Sequence, residues 1–297
     1  MKKLSFIAAV LVAFVFQSCN NETSNQDENP VEDTLQVMND EEVTIFIGLP
    51  SPIETSLILQ RAGADFNETI LNDVNNIDKY SSSLDQALNL GVYSADMCLS
   101  SMYNQNQVAI RYLAVTKQLS EELGVMDAVS PETFDRMEDN AQVKDSLMHI
   151  LSEIIMNAEM TLKENDRAET AAIIITGGWI EGLYITTQIA KNNEPNVELN
   201  NLIIDHRLSL ESLYKLLNEF KDDDKFPPLI AMVEEIQAVF KKIEVKTSDI
   251  NIETNADTKQ TVIHSTTEAT LSPEVFEELC SVIEKIRNKI VAGNITA

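Results

Sequence analysis

Along most of the chain the apolar residues recur every three or four positions. Leu84, Leu88, Gly91, Ala95, Leu99 and Met102 form one such stripe, and Val108, Tyr112, Val115, Leu119 and Leu123 form the next. The spacing returns in Val143, Leu147, Ile150, Ile154, Ala158 and Leu162, and again in Ile203, His206, Leu210, Leu213, Leu217 and Phe220. Val233, Ile236, Phe240 and Ile243, then Phe276, Leu279, Ile283, Ile286 and Ile290, complete the set. A period near 3.6 is that of amphipathic helices burying one face. Ser51-Pro52-Ile53-Glu54, Ser130-Pro131-Glu132 and Ser272-Pro273-Glu274 mark three helix starts, each a capping serine followed by proline at the first helical position. The pattern predicts an all-α protein, a helical bundle of about eight helices.

Residues 245–266 break the period. They are rich in β-branched and turn-forming types, and Thr254-Asn255-Ala256-Asp257 sits where two short strands could meet. A small β-hairpin or an ordered loop is expected there. A weak internal echo organises the rest. A helix near 80–102 carries Gly91-x-x-x-Ala95 and is followed by one at 105–123; a helix near 167–191 carries Gly178-x-x-x-Gly182 and is followed by one at 199–220. Each is preceded by a further helix, near 53–77 and 141–163. Two three-helix units would account for the echo. The chain then divides into a first unit over 51–124, a connector with a short helix over 125–140, and a second unit over 141–297 that includes the 245–266 insertion and a C-terminal helix.

The N-terminus follows another logic. Lys2 and Lys3 precede an uncharged apolar run from Leu4 to Phe16, the form of a secretory signal. The run ends in Phe16-Gln17-Ser18-Cys19, which resembles the lipobox of bacterial lipoproteins. The resemblance covers residues 1–19 and concerns processing alone. It implies a signal peptide over 1–18, removal of that segment, and a lipid anchor on Cys19. Acyl chains contribute about 0.8 kcal/mol per buried methylene, so two or three hold a protein to a membrane without a spanning helix. Asn20, where an aspartate favours inner-membrane retention in such proteins, leans toward the outer membrane, on its periplasmic or surface face. Residues 20–42 contain eight acids and no base, so 19–50 reads as a lipidated cysteine and an acidic flexible tether.

Charge narrows the choice of partners. Lys and Arg number 22 against 48 Asp and Glu, a net charge of −26 that repels phosphate backbones. Nucleic acid is excluded as a partner, leaving the membrane and an envelope protein or small ligand. Beyond Cys19 only Cys98 and Cys280 remain, too few for a disulfide scaffold or a zinc site.

Ala171 to Ala190 has a single charge, Glu181, near its middle. That charge and the surrounding threonines argue for the central helix of a bundle and against a membrane span. Gly177, Gly178 and Gly182 would admit a neighbouring helix, so Gly182→Leu is expected to lower stability by about 1–3 kcal/mol through overpacking.

Glu181 beside Trp179 and Tyr184, with Tyr93 and Asp96 on the first small-residue helix, forms the candidate ligand-binding constellation. A carboxylate in an aromatic setting binds cations or acts as a general acid. With no charged partner evident in the sequence, Glu181→Gln is expected to leave stability nearly unaltered. No cofactor, metal motif, nucleophile elbow or phosphate-binding loop is present. The expectation is therefore a membrane-anchored binding or structural module and not an enzyme, with an envelope hydrolase using Glu181 and Asp96 or His206 as the alternative.

Overall fold

In the computed structural model the described residues are 52–126, 130–140, 143, 145–153, 167–193, 196–247, 251–255, 260–264 and 267–295. These described residues belong to one compact unit. The signal segment, Cys19 and the acidic tether lie outside the described residues.

The protein is an all-α helical bundle. Its helices are α1 (Pro52–Arg61), α2 (Ser83–Met102), α3 (Asn106–Leu123), α4 (Pro131–Asp139), α5 (Ala168–Asn192), α6 (Val197–Glu219), α7 (Phe226–Phe240) and α8 (Pro273–Val291). Residues 145–153 are helical as well. Of the three starts the sequence announces, Ser130 and Ser272 each accept a backbone N–H from the first turn and Ser51 lies outside the described residues; Ser82 caps α2 in the same way, and Gly124 closes α3 in the left-handed region at φ 65°.

Helices α2 and α5 form the central pair. Against them pack α3 on α2, α6 and α8 on α5, and α1 across α2, α5 and α6, while α7 joins α6 to α8. Small residues make the central crossing possible. A Cβ built on Gly91 would overlap the carbonyl of Ile174, and one on Gly177 would overlap the carbonyl of Leu88, so the two backbones touch. Gly178 lies just beyond, its Cβ position 3.3 Å from the carbonyl oxygen of Gly91. Gly182 is less tightly approached. Its Cβ position meets only Thr55 of α1 at 3.9 Å, ordinary contact, because it lies more than a turn past the crossing.

Another difference concerns the helix expected near 53–77. Helix α1 stops at Arg61, and Gly63 follows at φ 75°, a conformation that ends a helix. Two 3-10 turns, Glu68–Ile70 and Val74–Lys79, replace the remainder, started by the side chains of Asn67 and Asp73. This irregular segment supplies several backbone groups to the polar core.

Between α7 and α8 the chain forms the hairpin. Four strands, β1 (Glu244–Thr247), β2 (Asn251–Asn255), β3 (Gln260–His264) and β4 (Thr267–Thr270), pair antiparallel as β1 with β4 and β2 with β3. The register runs from Glu244 opposite Thr270 to Asn255 opposite Gln260.

Helix α5 is buried along nearly its whole length by protein neighbours. Among the described residues no helix is long and apolar enough to cross a membrane.

Candidate functional site

The richest concentration of chemistry lies where α2, α5 and α8 meet. Glu181 projects from the middle of α5 and has no solvent exposure. Arg287 of α8 forks onto it, Nε donating to Oε2 at 3.0 Å and Nη2 to Oε1 at 3.0 Å. Nη2 also donates to the Ile70 carbonyl at 3.3 Å, and the guanidinium carbon stands 4.6 Å from the centre of the Tyr184 ring. A bidentate, aromatic-backed guanidinium is the arrangement that best compensates a buried carboxylate. Burial by itself would lower the Arg287 pKa, but the adjacent Glu181 raises it overall.

Asp96, on α2, is also fully buried and lies near Glu181. Its Oδ2 accepts the backbone N–H of Asn72 at 3.0 Å, while Oδ1 has no donor. Desolvation, followed by the proximity of Glu181, pushes its pKa well above the usual carboxylate range.

Asn72 is the hub of the surrounding hydrogen bonds. Its Nδ2 donates to Tyr80 Oη at 3.0 Å, and its carbonyl accepts from Tyr112 Oη at 3.0 Å. Tyr80 Oη in turn donates to the Val291 carbonyl at 3.1 Å, and Asn89 Nδ2 donates to the Ile290 carbonyl at 3.1 Å. The last carbonyls of α8, which a helix leaves without partners, are thus held by side chains from the core. Tyr93 donates to the Asp73 carbonyl at 2.9 Å and packs between the rings of Tyr80 and Tyr112.

Of the residues singled out from sequence, Asp96, Glu181 and Tyr184 come together around Arg287, and Tyr93 borders them. Trp179 does not join them. Residues two apart on a helix point to nearly opposite sides, and Trp179 faces α6, where Nε1 donates to Ser209 Oγ at 2.9 Å and the ring meets His206 edge-on at 5.7 Å between centroids. His206 is buried, bonded through Nδ1 to the Leu202 carbonyl at 2.7 Å, and desolvation lowers its pKa to about 4. It is therefore separated from Glu181 by the width of α5.

Sequence reasoning missed Arg287, Asn72 and Asn89. The expectation that Glu181→Gln leaves stability unaltered is overturned by the Arg287 pair, since the amide would orphan a buried guanidinium. A signal for Arg287 exists, for it stands four residues after Ile283 and beside Ile286 on the buried side of α8. Asn89 and Asp96, seven apart, share one face of α2.

Cys98 and Cys280 are free and buried, and burial pushes their thiols up to about 12 and about 11. Among the described residues no cluster of His, Cys, Asp and Glu is arranged to hold a metal ion. Comparison of the chain with family models, with curated proteins and with solved structures finds no match.

Proposed function

We propose that this chain is a lipid-anchored helical module of the bacterial cell envelope that presents its outer surface to a protein, peptide or small ligand. The observation that carries this reading is the sequence Phe16-Gln17-Ser18-Cys19 at the end of an apolar run, followed by a stretch of acids without a base. Cys19 carries the anchor, residues 19–50 form the tether, and the outer membrane is the favoured address. The self-contained pairing of Glu181, Arg287, Asp96 and Tyr184 supports a role for these residues in holding the bundle together. The binding face is then sought on the exterior, which the net charge of −26 suits to cationic or neutral partners over phosphate-rich ones.

The test is metabolic labelling with an alkyne-tagged palmitate, followed by fractionation. Wild type should take up the label and remain with the membranes. Cys19→Ala should lose the label and either appear in the soluble fraction or accumulate as precursor. An unlabelled wild-type chain that stays with the membranes, with an unmodified N-terminus, would contradict the reading.

A further inference from the structure

The buried cluster holds two carboxyl groups and one guanidinium. Were both carboxyls ionised, the bundle would enclose a net negative charge at a place where neither group reaches solvent. Like-charged carboxylates in contact cannot both ionise cheaply, and burial adds to the penalty. The hydrogen bonds point the same way. Both oxygens of Glu181 are taken by Arg287, and Asp96 Oδ2 by Asn72, which leaves Oδ1 alone without a donor although it is buried. A buried acceptor with nothing to accept is rare in folded proteins. It ceases to be an anomaly if the atom carries a hydrogen and donates.

We propose that Asp96 and Glu181 hold one proton between them in the folded protein, donated from Asp96 Oδ1 to Glu181, and that release of this proton to solvent loosens the junction of α2, α5 and α8.

Among the described residues, the charged groups near Asp96 include a single cation. Glu181 and Tyr184 face it from α5, Arg287 from α8 and Tyr112 from α3, with Tyr93 and Cys98 on its own helix. Arg287 is the one cation among these. The upward shift of Asp96 agrees with the geometry, its leading cause being burial and its next the Glu181 charge.

The sign follows from proton counting. In the unfolded chain Asp96 ionises near the ordinary aspartate value of 3.8, while the folded protein retains the proton to higher pH. Between those limits the folded state binds one more proton, so its stability falls as pH rises. His206 acts oppositely as pH falls, and the buried thiols and phenols contribute above about pH 8, but wild type and Asp96→Asn share these groups, so the difference between the two isolates the carboxyl pair.

The experiment uses the full chain in a mild non-ionic detergent, as wild type and as Asp96→Asn. The amide keeps the shape, accepts from Asn72 and donates to Glu181 without titrating. As pH rises from about 4 the unfolding constant of wild type should rise relative to that of Asp96→Asn, toward a limit of about tenfold per unit, one proton's worth, until the folded protein releases the proton. Infrared difference spectra at neutral pH provide the second readout, which needs no comparison of stabilities. Wild type should show the carbonyl stretch of an un-ionised carboxylic acid, sensitive to deuterium and missing from Asp96→Asn. Parallel unfolding curves, or a wild-type spectrum without an acid carbonyl attributable to Asp96, would overturn the proposal.

Discussion

The two sides of α5 solve the problem of a buried polar group differently. Facing α6, Trp179, His206 and Ser209 are neutral, and each polar hydrogen finds an oxygen within the same pair of helices. Facing α2 and α8, Glu181 meets a full opposite charge delivered from the far end of the sequence, 106 residues away. The neutral side needs only local hydrogen bonds, each contributing about 1 kcal/mol. The charged side is held by parts that are useless singly, since a buried ion without its partner costs far more than the completed pair contributes. The junction of α8 with the central helices thus depends on complementarity between distant segments, and the α5–α6 contact on ordinary packing.

The largest effect should come from breaking the charged side. Arg287→Met leaves Glu181 buried without its cation beside Asp96, and denaturant unfolding should show a loss of about 3–5 kcal/mol. Next comes the crossing that places Asp96 opposite Glu181. Gly177→Ala drives a methyl group into the Leu88 carbonyl and should cost about 3 kcal/mol, the upper end of overpacking, whereas Gly182→Ala, with open contact to Thr55, should be nearly neutral by the same measurement.

The neutral side is probed by acid. His206 titrates near 4 in the folded protein against 6.5 unfolded, so the unfolded chain binds more protons between those values and stability is lost as pH falls through them. In the Asp96→Asn background, where the opposing carboxyl titration is removed, this loss should reach about 3 kcal/mol by pH 4. It should be missing from the double variant Asp96→Asn/His206→Gln, read as the difference between the two pH–stability curves.

Much of the scaffold is legible in the sequence because helix burial writes itself as period and caps. The stripes from Leu84 to Met102 and from Phe276 to Ile290 coincide with α2 and α8, and Ser130-Pro131 and Ser272-Pro273 start α4 and α8 where expected. The segment after Arg61 was legible only in part, because a left-handed glycine and two side-chain-capped turns carry no periodic signal. The polar core was half legible. Glu181 stands out as a lone charge in an apolar helix, and Asp96 as its counterpart on α2. Arg287 hides because a cation at the edge of a stripe usually points to solvent, and only tertiary contact turns it inward. Asn72 acts mainly through its backbone N–H and carbonyl, groups every residue possesses, so no pattern of side chains could mark it.

Glu181 and Arg287 act as one unit that locks α8 to α5, and a double-mutant cycle measures that most directly. Glu181→Met, Arg287→Met and the double variant would be unfolded by denaturant at constant pH. Each single change strands one buried partner, so each should lose about 3–5 kcal/mol, while the double variant, with two apolar side chains of similar size, should recover most of that loss. Losses that simply add, leaving the double variant as unstable as the sum of the two singles, would show that Glu181 and Arg287 do not act as a unit.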